Sequence, residues 1–273
     1  MKNPGTPIAW PLRLWFVAEV LFSTGAVLTI ALFPANTATN WSWEVKPVVM
    51  AAVLGAFYIS AAPLTLLPVF ARRWEMVRVV VLPTALFTAA ELLATLLHWS
   101  KFSVGTPAFA GWFLSYILPP PIFLIYYIVQ QRRARKLGSV VASQPLPLIV
   151  RAALLLVGGP LTLLTILLFI VPQALIAVAP WAMTPLTARV FVGFLFAAGT
   201  VMLSMAREND RTRILIGVPV LLVMLPAVTL QILRFYNQVN FANLALFAIY
   251  VVLLVAFALG VVLVWGDWRQ AMT

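Results

Sequence analysis

Eight apolar runs of roughly twenty residues follow one another along this chain, and no other feature limits the fold so tightly. They cover residues 12–34, 47–71, 79–99, 110–130, 152–172, 186–206, 214–233 and 244–266. A helix that crosses a bilayer needs about 20 mostly apolar residues, because in hydrocarbon it must satisfy its backbone polar groups internally. The runs therefore predict an all-α integral membrane protein of eight transmembrane helices. Composition leaves no alternative solvent: 9% of residues are charged, against about 25% in a soluble domain.

The connections between runs fall into two alternating sets with unequal charge. One set, with both termini, holds Lys2, Arg13, Arg72, Arg73, Arg78, Arg132, Arg133, Arg135, Lys136, Arg151, Arg207, Arg211, Arg213 and Arg269. The other holds only Lys46, Lys101, Arg189 and Arg234. By the positive-inside rule the first set is cytoplasmic, so both termini face in and the expected location is a bacterial plasma (inner) membrane. The same division accounts for the net charge of +11. The cluster Arg132–Lys136 reads as a topology signal that touches anionic lipid headgroups, so lipid is the expected partner and nucleic acid is not. The first run is longer than the apolar core of a signal peptide and is expected to be retained.

A shift of 138 residues superimposes Arg13 on Arg151, Pro34 on Pro172, Trp43 on Trp181, Pro47 on Pro185 and Gly55 on Gly193. A shift of 136 then pairs Pro83 with Pro219 and His98 with Arg234. The pattern predicts two parallel four-helix repeats, residues 1–137 and 138–273, because an even number of spans returns each half to the same side. A ligand site is expected where the halves meet.

Charges inside spans are expensive and point to function by default. Glu91 lies near the middle of the third run, with His98 seven residues on and Arg189 at the start of the sixth run. Glu91 must hold a proton or pair with a cation, so Glu91, His98 and Arg189 form the first candidate polar site, as a proton-handling couple or an interhelical tether. Glu19, Arg13 and Arg234 are weaker candidates, Glu19 being expected to snorkel or to pair with Arg13 near the cytoplasmic boundary. Pro119, Pro120 and Pro121 remove three consecutive backbone donors near mid-span, which predicts a kink or a discontinuous helix. All ten tryptophans sit near the ends of runs, where an indole anchors a helix at the headgroup boundary. On that reading the loop Trp41–Pro47 is an interfacial anchor.

Chemistry is sparse. The chain has no cysteine and one histidine, which excludes thiolate catalysis, iron–sulfur clusters and histidine-pair metal sites. No nucleophile elbow, phosphate loop or dinucleotide fingerprint is present. The expectation is a non-catalytic protein without a cofactor that binds or transports an apolar or amphipathic small molecule. The alternative is an accessory or scaffolding subunit, with a homo-oligomer or partner membrane subunits around it.

Overall fold

The computed structural model describes residues 5–139 and 144–271, with side chains of the last helix described as far as 264. Lys2 lies outside the described residues, as do the side chains of Trp265, Trp268 and Arg269. The described residues are helical without strands. Seven helices are long and apolar enough to cross a membrane. They are α1 (Trp10–Ala26, extended by a π-helical turn Val27–Ala31), α2 (Val48–Phe70), α3 (Trp74–Leu97), α4 (Pro107–Lys136), α5 (Leu148–Ile170), α6 (Pro185–Glu208) and α8 (Leu244–Ala271).

The remaining apolar run gives a shorter helix, α7 (Val218–Arg234), of 17 residues. It starts four residues later than hydropathy suggests. The chain at 214–217 is held in turns by bonds from the Ile214 amide to the Asp210 carbonyl and from the Gly217 amide to the Ile214 carbonyl. Pro219 then takes the first turn of α7, where its missing N–H costs nothing.

Helix α4 is interrupted at Leu118, between Pro107–Ile117 and Pro119–Lys136. The three prolines occupy the first turn of the second segment, and Leu118 keeps right-handed helical angles (φ −82°, ψ −43°). Long bonds of 3.4 Å, Leu118 to the Leu114 carbonyl and Ile122 to the Leu118 carbonyl, carry the ladder across. The outcome is a seam between two helical segments, with no unwound stretch. Three missing donors fall where a helix start does not use them.

Helices α2 and α6 form the centre of the bundle, with most of their apolar windows buried, whereas α5 and α8 lie at its edge. Each sequence pair α1–α2, α3–α4, α5–α6 and α7–α8 is packed together, and α2–α7 and α3–α6 join the two halves. The α5–α6 contact is close because it runs through glycines. A Cβ on Gly158 would stand 3.0 Å from the Gly199 carbonyl oxygen and 2.8 Å from the Met202 Cβ. Close backbone approach through small residues is the main source of helix association in lipid, where no hydrophobic drive separates helix from solvent.

Polar bonds tie the bundle at both ends. At the end carrying most basic residues, the Glu75 carboxylate accepts from the Thr6 amide at 3.1 Å and the Ser139 hydroxyl at 2.5 Å, joining the N-terminal segment, α3 and the end of α4. Beside it, Arg78 of α3 donates through Nε to Glu208 of α6 at 2.6 Å, and Arg213 reaches the same carboxylate at 3.3 Å.

Candidate functional site

A cavity of about 280 Å³ opens between α1, α2, α3, the first segment of α4 and one face of α6. It lies chiefly within the first half of the chain, with Phe194, Ala197 and Val201 as the wall that the second half supplies. The α2–α7 seam does not contribute to its lining. The cavity lies beside the α3–α6 contact between the two halves of the chain and away from the α2–α7 contact.

Aromatic side chains enclose the cavity. Trp41 packs against Trp112 with ring centroids 5.6 Å apart, and Trp112 against Tyr116 at 4.4 Å. Tyr58 and Tyr116 share a hydrogen bond of 2.7 Å between their hydroxyls. These rings overturn the reading of every tryptophan as a boundary anchor. Trp41, Trp43, Trp74, Trp112 and Trp181 are buried, whereas Trp10 and Trp99 are exposed. The loop 41–47 folds back over the helix ends and places Trp41 and Trp43 in the aromatic cluster. Its Glu44–Lys46 pair stays at the surface at 2.8 Å, where such pairs contribute little.

Three buried polar atoms in this lining have no partner: Glu19 Oε1, Asn40 Oδ1 and the Trp41 indole nitrogen. A buried donor or acceptor left unpaired costs about 1–3 kcal/mol; Trp43, Glu91 and Gln231 carry such atoms away from the cavity. The mouth lies between α1 and α4, which touch only lightly. Leu21 and Gly25 on one side and Pro107 on the other are exposed. A Cβ built on Gly25 or Gly111 would meet no atom within 4 Å.

The residues singled out in the sequence do not gather in one place. Glu19 lines the cavity and forms no pair with Arg13, which instead donates to the Ala71 carbonyl at 2.8 Å. Glu91 is fully buried against Gly193 of α6, in the space a Cβ there would take, and neither carboxyl oxygen has a partner. Of its two expected states, cation pairing is therefore not realised among the described residues. His98 and Arg189 do meet, Arg189 Nη1 donating to His98 Nε2 at 2.6 Å while its Nε donates to the Phe169 carbonyl at 3.0 Å. Arg234 donates to the Ala31 and Leu32 carbonyls, both at 3.1 Å. The two arginines thus close the carbonyl-bearing ends of α5 and α1.

Because arginine only donates, His98 accepts through an unprotonated Nε2. Burial first, and then the positive charges of Arg189 and Lys101, hold the His98 imidazole below its ordinary 6.5. The folded state therefore favours the neutral ring, and its stability is complete above about pH 6.5 and is lost as pH falls below that value. Thermal unfolding in detergent between about pH 5 and 8 should show this decline in the wild type and a flatter profile in His98→Gln.

Tyr58, Tyr116, Asn40 and Trp41 belong to the site although hydropathy passes over them. Two phenols in the middle of apolar runs are the signal that points to them, since a buried hydroxyl needs a partner. Among the described residues no group of three or more metal-ligating side chains occurs. Comparison with protein-family models, with curated proteins and with solved structures returned no match.

Proposed function

We propose that this chain is an eight-span plasma-membrane protein, built from two parallel repeats with cytoplasmic termini, that binds a small amphipathic molecule drawn laterally from the bilayer. Transport of that molecule is the specific activity the reading favours. The observation that carries it is the set of unpaired atoms, Glu19 Oε1, Asn40 Oδ1 and Trp41 Nε1, around an aromatic cavity open between α1 and α4. A polar head would satisfy those atoms, and an apolar tail would leave through the mouth into lipid.

The repeat reading is supported by the neighbour pattern. Exchanging helices one to four for five to eight turns α1–α2 into α5–α6, α3–α4 into α7–α8 and α2–α7 into α6–α3, all of which are packed pairs. Ala31 and Phe169, 138 residues apart, both receive an arginine at the carbonyl. In one half that arginine is Arg234; in the other the equivalent position is His98, which holds Arg189 in place. Helix α7, about 26 Å long at 1.5 Å per residue, comes close to the hydrocarbon thickness and supports an eighth span. The orientation rests on the uneven distribution of basic residues. The chain has no cysteine, so a single cysteine placed at Gly138 should react with a membrane-impermeant reagent only after lysis; reaction in intact cells would reverse the orientation.

The binding reading is tested by tryptophan quenching in lipid nanodiscs with 12-bromododecanol, an uncharged amphipath. Saturable quenching is expected, and Gly25→Leu/Gly111→Leu, at two lining positions where a Cβ meets no atom within 4 Å, should abolish it. Saturable quenching that survives in the double variant would exclude this cavity as the binding place. A subunit role keeps one point in its favour: α5 and α8 leave most of their apolar windows uncovered. Stoichiometric co-purification of another membrane chain would support that role.

A further inference from the structure

The cavity combines one carboxyl group, several aromatic rings and no basic side chain in its lining. Glu19 is 8% exposed and makes no hydrogen bond or ion pair among the described residues. The chain carries a net charge of +11, yet no lysine, arginine or histidine lies in the described lining beside Glu19. Trp41, Tyr58, Phe87, Trp112 and Tyr116 supply the surrounding rings. Aromatic faces attract cations through their quadrupole, and aromatic enclosures are the general solution for quaternary ammonium groups. We infer that the ligand is a lipophilic cation, an amine or quaternary ammonium with an apolar tail, whose charged head pairs with Glu19 inside the aromatic enclosure. This inference rests on the cavity being the binding site.

The head also has a use for the other unpaired atoms. An ammonium that retains an N–H donates to Asn40 Oδ1, and a polar substituent near the head accepts from the Trp41 indole. Before the cation arrives, a carboxylate at this depth would be uncompensated, which the acid form avoids. Entry of a permanent cation then leaves a carboxylate–ammonium pair and releases one proton to solvent, so charge in the cavity balances. The titratable groups facing Glu19 across the cavity are the Tyr58 and Tyr116 phenols, which are bonded to each other. Glu91 lies outside the lining, and Arg13 is engaged with the Ala71 carbonyl. No positive group among the described lining competes with the ligand for Glu19.

The test uses the full chain in zwitterionic nanodiscs, with 12-bromododecyltrimethylammonium and 12-bromododecanol as matched quenchers. The cation should saturate at a concentration about tenfold lower than the alcohol. Glu19→Gln should bring the two together, and binding to the wild type should release about one proton per cation in weakly buffered solution, read with a pH dye. The proton count needs no variant and so does not depend on how Glu19→Gln folds. Equal binding of both quenchers without proton release, with both lost in Gly25→Leu/Gly111→Leu, would overturn the cation assignment and leave the cavity as a site for neutral amphipaths. Absence of saturable quenching by either probe would overturn the binding reading itself.

Discussion

Glu208→Ala should cost about 3–5 kcal/mol of stability, the range found when one partner of a buried ion pair is removed. Glu208 ends α6, where the helix dipole disfavours a negative charge, so its position depends on what it meets there. It meets Arg78 Nε at 2.6 Å and Arg213 Nη1 at 3.3 Å, and the three side chains are between 6% and 13% exposed. Removing the carboxylate leaves Arg78, in the first turns of α3, buried beside Arg213 with the Gln131 Oε1 at 3.5 Å as its remaining acceptor. The bond also spans the two halves of the chain, so its loss loosens the α3–α6 contact on which the inner wall of the cavity depends. Glu208→Gln keeps the shape and the hydrogen-bond acceptor while removing the charge, and should fall between the wild type and Ala. Unfolding in mixed detergent micelles measures the difference; a loss under about 1 kcal/mol for Glu208→Ala would place the pair among solvent-screened contacts.

Gly55→Ala and Gly111→Ala should move in opposite directions although both replace glycine within an apolar helix. On intrinsic propensity each gains about 1 kcal/mol. At Gly111 nothing stands within 4 Å of the new methyl group, so that gain should be kept. At Gly55 the methyl would fall on the Ala31 backbone, in the π-helical turn that ends α1. Backbone cannot rotate aside as a side chain can, and overpacking of a core costs about 1–3 kcal/mol or more. The variant should lose several degrees of thermal stability in detergent while Gly111→Ala matches or exceeds the wild type. Because Ala31 also receives Arg234 at its carbonyl, displacing it should disturb the α1–α2–α7 junction. Equal melting temperatures for the two variants would show that the α1–α2 approach is looser than described.

The apolar runs, their order and the uneven placement of basic residues are properties of the chain itself. Hydropathy is a one-dimensional quantity, and a span of twenty apolar residues in lipid has little choice but to be a helix. Proline positions were read less well: Pro34 and Pro172 were expected at the ends of runs and Pro219 within one, yet each opens a helical segment, as its missing N–H allows. Sequence grouped His98 and Arg189 only as candidate partners of Glu91; that they bond to each other instead was not legible.

The cavity was not legible, and the reason is physical. Helices such as α2 are apolar on every side, so no stripe of contrast indicates which face meets protein and which meets lipid. Glu19 reads as a boundary residue that Arg13 could neutralise until the Arg13 guanidinium is found on the Ala71 carbonyl. Trp41 reads as an interfacial anchor until its loop folds back and buries it against Trp112 and Tyr58. Sequence alone determined that this protein lives in a membrane and roughly where its helices begin and end, because the bilayer imposes those as local requirements. Only tertiary structure decided which side chains face one another, because in a uniformly apolar bundle that choice is made by close packing and by the few polar groups left without partners.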